Sequence, residues 1–373
     1  MTPFNKEASW FNKNSPPHPL PQRSESTGWN NRLMSSTIDL LQELVNIPAP
    51  PGQEGELASL VVDKVKAMGL TVSLDAKGNV LVPIGPAGEP KIVVTAHLDE
   101  LALMVTALYR DGNLQVTNLG GLNPSKWGET PVEIMANAAL PGVVSHGSVH
   151  TEARESTIVQ GRTRALDWTQ VKVFTGREPD ALQRLGVKPG TRVAMARSQR
   201  QLTKVGEFVS GYFLDDRADL AAWLLLLDIL RENPPKIPML FAATVSEEVG
   251  GHGALYLMQN IRPEFCVALE LGPVVPDAPI QLTETPTIWS NDSYAAADPR
   301  DLDILSGLGI EVQFQALSRG GSDASCAASH GLCARPITLG IPMENTHGYE
   351  IIHRNGIDRL VELTSAYLAA IGG

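Results

Sequence analysis

Residues 91–100 read KIVVTAHLDE, and residues 238–251 read PMLFAATVSEEVGG. In each, consecutive apolar residues run straight into polar, ionisable ones. Apolar side chains at successive positions suit a strand covered on both faces, whereas alternation would suit a half-exposed one. Phe265–Leu271 repeats the pattern, and Ile310–Ala316 and Pro336–Ile341 read as further strands. Between these runs the period lengthens to that of a helix. Leu57, Leu60, Val61, Val65 and Met68 form one stripe, closed by Gly69. A second helix is expected from an Asp216 cap to about Leu230, a short one over 253–261, and one starting at Asp298-Pro299. The last, over 357–371, carries Leu360, Leu363, Tyr367 and Leu368 on one face. Strands alternating with helices predict an α/β fold, a three-layer sandwich around a mostly parallel sheet.

The rhythm breaks between about residues 104 and 208. Strand-length pieces alternate there with turn pairs such as Gly120-Gly121, Pro141-Gly142 and Pro189-Gly190, and helical stripes are few. This reads as an inserted β-rich domain, leaving 35–103 plus 209–373 as the α/β domain. Residues 1–34 are rich in Asn, Ser and Pro and read as a disordered tail without the apolar segment of a secretory leader. The first helix is expected to start at a Ser36 or Thr37 cap.

The chain has 373 residues, of which 43% are hydrophobic, and a formal net charge of −11. That balance argues against nucleic acid or an anionic membrane as the main partner, since both call for clustered Lys and Arg. No apolar run reaches the roughly 18 residues of a membrane helix. The cysteines Cys266, Cys326 and Cys333 are odd in number and form no C-x-x-C pair. A disulfide framework is therefore not expected, and a reducing cytoplasm is.

Five polar positions follow strands. His97 and Asp99 are two apart, so in extended chain they point the same way. Asp99 would then take one imidazole N–H while the other nitrogen faces a metal. At Asp215-Asp216, one carboxylate can bridge two cations while the next caps a helix. At Glu247-Glu248, adjacent carboxylates at a buried strand end repel each other unless a cation or shared proton intervenes. A simple solution is one metal ligand and one general base. Glu270 ends the apolar run 265–269, and His347 lies in a loop after the 336–341 strand. Singly, each has a bland alternative: a surface histidine, an acidic helix cap, an exposed glutamate pair, a strand-end glutamate in solvent, a loop histidine. As a set, imidazoles and carboxylates suit Zn²⁺, Co²⁺ or Mn²⁺.

The ordered motifs 96–100 (AHLDE), 215–217 (DDR), 247–250 (EEVG) and 320–324 (GGSDA) resemble those of the tetrahedral (deblocking, glutamyl) aminopeptidases. These are dinuclear metallopeptidases, some of which carry an endoglucanase label. The resemblance covers roughly residues 36–370. It implies a zinc-aminopeptidase α/β domain interrupted by a β-barrel-like domain used in oligomerisation. It further implies that His97 and Glu270 hold one metal, Glu248 and His347 the other, and that Asp215 bridges them. A cis peptide would precede Asp216, Asp99 would orient His97, and Glu247 would be the general base. Asp323, His252 and Arg319 would be substrate-binding. The cofactors would be two divalent ions, Zn²⁺ or Co²⁺ with Mn²⁺ as a further option, and the substrates short peptides. The assembly would be a homo-oligomer built from dimers, up to a dodecamer.

The chain departs from the pattern at three places. Glu270 stands where an aspartate is usual, Gly251-His252 where a small residue and an arginine are usual, and Gly348-Tyr349 follows His347 where Ser-Pro is common. These bear on specificity and are compatible with a specialised branch resembling hydrolases of peptide-osmolyte metabolism. The competing readings are a related two-metal deacylase or carboxypeptidase, a non-catalytic assembly protein, and a glycosidase. The assembly reading leaves Glu247 without purpose, and the glycosidase reading leaves both histidines unexplained.

Overall fold

The computed structural model describes residues 30–372. The tail expected over 1–34 lies outside the described residues up to position 29. The first helix, Asn30–Val45, begins before the cap expected at Ser36 or Thr37. No glycine or proline stands between Asn30 and Val45 to stop it, and Thr37 instead donates 3.1 Å to Asp358 of the last helix.

An eleven-stranded sheet forms the body. At its centre lie, side by side, Met239–Thr244, Ile92–His97, Phe265–Pro273 and Arg335–Glu344, all parallel. Every residue of Ile92–His97 is buried, as its unbroken apolar run requires. The flanks are antiparallel: Val80–Ile84 pairs with Met239–Thr244, and Tyr349–His353 joins Arg335–Glu344 to Phe208–Tyr212. The expectation of a mostly parallel sheet therefore holds for the centre and fails at the margins. Antiparallel neighbours such as Arg335–Glu344 and Tyr349–His353 need only a tight turn, whereas parallel neighbours need a crossover.

Alternate strand residues enter different cores. Ile92, Val94, Val267 and Leu269 pack on one face with the helices Gly55–Ala67, Leu214–Glu232 and Gly356–Ile371. Val93, Cys266 and Ala268 pack on the other with His252–Ile261 and Asp323–Ser329. Leu214–Glu232 buries Leu220, Ala221, Trp223, Leu224, Leu226 and Leu227. A helix apolar on nearly all sides has to lie in the interior, and here Trp223 spends its indole N–H on the carbonyl of Val94, 3.3 Å away.

A closed six-stranded barrel interrupts this body. Around it run Ala102–Leu108, Leu114–Leu119, Lys172–Phe174, Ala139–Ser145, Pro131–Met135 and Arg192–Met195. Its filling of Leu103, Val105, Val116, Ile134, Val144 and Val193 follows from strands that alternate inside and outside. Closure leaves no unpaired edge.

The junction between barrel and sheet is ionic. Glu100, Arg200 and Arg217 are each fully buried. Arg200 pairs with Glu100, donates 3.1 Å to the Val45 carbonyl and 3.2 Å to that of Met195, and lies over the ring of Phe213. Arg217 donates 2.8 Å to Glu100 and 2.8 Å to the Leu98 carbonyl. Removing one member of a buried ionic group leaves the rest uncompensated, at about 3–5 kcal/mol. Glu100→Gln should therefore lower unfolding stability in urea by about that amount, whereas an exposed pair such as Arg231 with Asp228 should change it by under about 1 kcal/mol when broken. Equal effects would contradict this picture.

Candidate metal centre

The centre lies at the carboxyl ends of the parallel strands, where open sheets of this kind place their ligands. Ile92–His97 delivers His97, 2% exposed. Its Nδ1 donates to the Asp99 backbone carbonyl at 3.0 Å. That fixes the tautomer and leaves Nε2 as a lone-pair donor. Nε2 lies 3.2 Å from Asp215 Oδ1 and 4.0 Å from Glu270 Oε2. The Asp99 carboxylate, expected on the imidazole, is 3.5 Å away. It accepts instead from the backbone N–H groups of Glu247 and Glu248, at 2.8 and 3.1 Å. Asp99 thus ties the His97 strand end to the Glu247-Glu248 turn, because a chain turning after His97 brings its carbonyl closer to the ring than its side chain.

Asp215 follows the Phe208–Tyr212 strand, and the Asp215–Asp216 peptide is cis. The two oxygens of Asp215 face different imidazoles: Oδ1 faces His97, and Oδ2 lies 3.6 Å from His347 Nε2. Asp216, read from sequence as a helix cap, does not serve as one. Its Oδ2 accepts from the His97 backbone N–H at 2.6 Å, and its Oδ1 has no hydrogen-bond partner among the described residues.

His347 sits in the turn between Arg335–Glu344 and Tyr349–His353 with φ 63°. Its Nδ1 donates to the Gly121 carbonyl at 3.2 Å, so Nε2 again faces the carboxylates, with Glu248 Oε2 at 3.9 Å. Two groups of possible ligand atoms result, each within 4.8 Å: His97, Asp215, Asp216 and Glu270, and Asp215, Glu248 and His347. They share Asp215.

The electrostatics call for a cation. Burial pushes the Glu248 carboxyl up to about 7, with Asp215 adding to the rise against the opposing pull of His347. Burial, then Asp215, raises Glu270 well above the usual carboxylate range, and burial does the same to Glu247. Glu248 Oε1 is buried with no hydrogen-bond partner among the described residues. Carboxylates crowded this closely ionise together only when positive charge joins them. Imidazole Nε2 atoms and carboxylate oxygens are also the donors that Zn²⁺ and its neighbours accept. The residues present fit divalent ions.

A cleft of about 510 Å³ opens over the centre, lined by Glu247, Glu248, Trp289, Tyr294, Leu317 and Arg319 among others. Of the three residues read as substrate-binding, Arg319 lines it and is exposed. Asp323 does not: it is 3% exposed behind the cleft wall, where its Oδ2 accepts 2.6 Å from Thr244 Oγ1. His252 also lies outside the lining, exposed at the start of a helix. Each begins a helix on the same face of the sheet, beside the cleft-lining Gly250 and Gly251. Sequence reasoning missed Glu350, which is 2% exposed and accepts from the backbone N–H groups of both Asp215 and His347. Its position three residues after His347 was the available signal.

The fold and the centre define a mixed α/β protein with a candidate metal site at the ends of its parallel strands. A profile of the M42 glutamyl aminopeptidase family matches residues 78–363, and the chain belongs to that family. It is 29% identical over 236 residues to lysyl aminopeptidase of Pyrococcus furiosus, covering 62% of this chain and 66% of that one. The chain thus spans just under two thirds of that relative's length. It is 23% identical over 326 residues to glutamyl aminopeptidase of Lactococcus lactis, covering 84% and 90% respectively. Among solved structures, the TET1 peptidase of Pyrococcus horikoshii, which assembles into a tetrahedron or a large octahedral shell, superposes with a TM-score of 0.78 at 25% identity, covering 88% of this chain and 98% of that one.

A Cβ on Gly121 would stand 2.8 Å from the His347 ring. Gly121→Ala should therefore turn the imidazole and weaken Zn²⁺ binding by about tenfold or more, as displaced ligand supports do. Calorimetric titration of the metal-stripped protein measures this, and an unchanged isotherm would separate His347 from the ion.

Proposed function

We propose that the chain is a metal-dependent aminopeptidase that removes the amino-terminal residue of short peptides. The observation that carries the reading is Asp215, whose two oxygens face His97 and His347 while Glu270 and Glu248 close the two groups. His97 and Glu270 would hold one ion, Glu248 and His347 the other, with Asp215 shared. Zn²⁺ or Co²⁺ suits these donors best, and Mn²⁺ is acceptable to them. Two such ions would supply Lewis-acid polarisation of the scissile carbonyl and a nucleophile at neutral pH.

The chain's own residues do the rest. Glu247 lines the cleft beside Glu248. We assign it as the general base, taking a proton from the attacking water and returning it to the departing amine. Asp99 holds Glu247 and Glu248 through their backbone N–H groups and keeps His97 in one tautomer. Trp289 and Leu317 offer an apolar wall to the substrate's first side chain.

The tetrahedral and octahedral assemblies of the TET1 peptidase support a homo-oligomer; we assign dimers as its building blocks and the barrel as its contact domain. No helix among the described residues is long and apolar enough to cross a membrane. We place the protein in the cytoplasm on its three free cysteines.

A second reading, a two-metal deacylase or carboxypeptidase, needs a cation to clamp a substrate carboxylate, and the exposed Arg319 in the cleft is the feature that favours it. Amino-acid p-nitroanilides and free peptides assayed beside their amino-blocked forms separate the two. The aminopeptidase reading expects turnover of the free-amine substrates alone. It further expects Glu247→Gln to cut turnover by about a hundredfold or more while metal content stays at the wild-type value. Unchanged turnover would remove Glu247 from the chemistry.

A further inference from the structure

Glu350 has no counter-cation. It is 2% exposed, and no Lys, Arg or His side chain among the described residues pairs with it. Charged neighbours of the same sign, Asp215 and Glu248, lie close enough to act on it. A carboxylate placed so would be expelled from the interior unless something specific held it. What holds it is a pair of backbone N–H groups. Oε2 accepts from Asp215 N at 3.1 Å, and Oε1 accepts from His347 N at 2.9 Å.

Topology explains the reach. Glu350 lies on Tyr349–His353, in register with Gly211 on the antiparallel strand Phe208–Tyr212. That neighbour runs on through Phe213 and Leu214 to Asp215. The turn before Tyr349–His353 carries His347. One carboxylate between the two strands therefore touches residues 135 positions apart and three positions apart at once. The turn it grips holds Asn345 and His347 both in the left-handed region, at φ 63° each. Such a conformation persists only where its surroundings enforce it.

We infer that Glu350 is a positioning residue of the metal centre, whose carboxylate locks the Asp215 backbone to the His347 backbone and so sets the spacing between the shared carboxylate and the second imidazole. The inference rests on Asp215 and His347 being ligands, as proposed above. It explains why the position carries glutamate. Glutamine has the same shape but one acceptor oxygen, and its amide N–H₂ would confront one of the two N–H groups. Aspartate keeps both acceptors on a shorter stem and reaches only one partner. Asp99 forms the matching lock on the other side, holding Glu247 and Glu248.

The test titrates Zn²⁺ into the full chain, stripped of metal, by calorimetry, for the wild type, Glu350→Gln and Glu350→Asp. Activity is then followed as a function of free Zn²⁺. Both variants should bind the weaker of the two ions about 10–100-fold less tightly, in line with other residues that orient metal ligands. Turnover should recover at saturating Zn²⁺ with KM unchanged, so that the activation constant moves and the chemistry does not. A wild-type isotherm in both variants would overturn the inference. So would turnover that stays low at saturating Zn²⁺, or a failure of both variants to fold, since each assigns Glu350 a different role. Absence of Zn²⁺ binding by the wild type would overturn the metal-centre reading itself, and that outcome is distinct from the others.

Discussion

Glu100 shared between Arg200 and Arg217 is the interaction on which the arrangement depends. It gathers four pieces of chain: the end of the first helix, the loop after the His97 strand, the start of the helix after Asp215-Asp216, and the chain leaving the barrel. Two guanidiniums against one carboxylate leave a positive excess in the dry interior. That excess sits behind a centre dominated by carboxylates. A buried ionic cluster is a weak source of net stability, but it is demanding about geometry. It fixes where His97 and Asp215 stand relative to each other before any ion is considered.

The same economy governs the centre. Repulsive charges are brought together by strands whose apolar residues have no other place to go. Asp99 and Glu350 then restrain them through backbone N–H groups, which supply directed hydrogen bonds without adding a competing cation. The scaffold itself gathers opposed carboxylates into a candidate cation site.

Much of this was legible in the chain. The runs ending at Ala96, Val245, Leu269 and Ile341 announced buried strands, and the polar residues after them marked the candidate site. Those signals are local, so a single sequence carries them. The antiparallel margins were missed because a short turn and a crossover look alike until pairing is known. Arg200 was missed because its partner lies 100 residues away, and nothing near it marks it as buried. The Asp99 carboxylate expected on the imidazole lies 3.5 Å from Nδ1 and its backbone carbonyl 3.0 Å, since an extended register says which way a side chain points and not which backbone group will approach first. Asp323 and His252 followed motif likeness, and both stand at helix starts beside the cleft-lining Gly250 and Gly251 rather than in the lining itself.

Gly121, two residues beyond the barrel strand Leu114–Leu119, supplies the carbonyl that meets the outer nitrogen of His347. The insertion is therefore no detachable module hung on a self-sufficient enzyme. A shortened chain that spliced the α/β halves together would keep every proposed ligand, yet surrender the peg against which one imidazole rests.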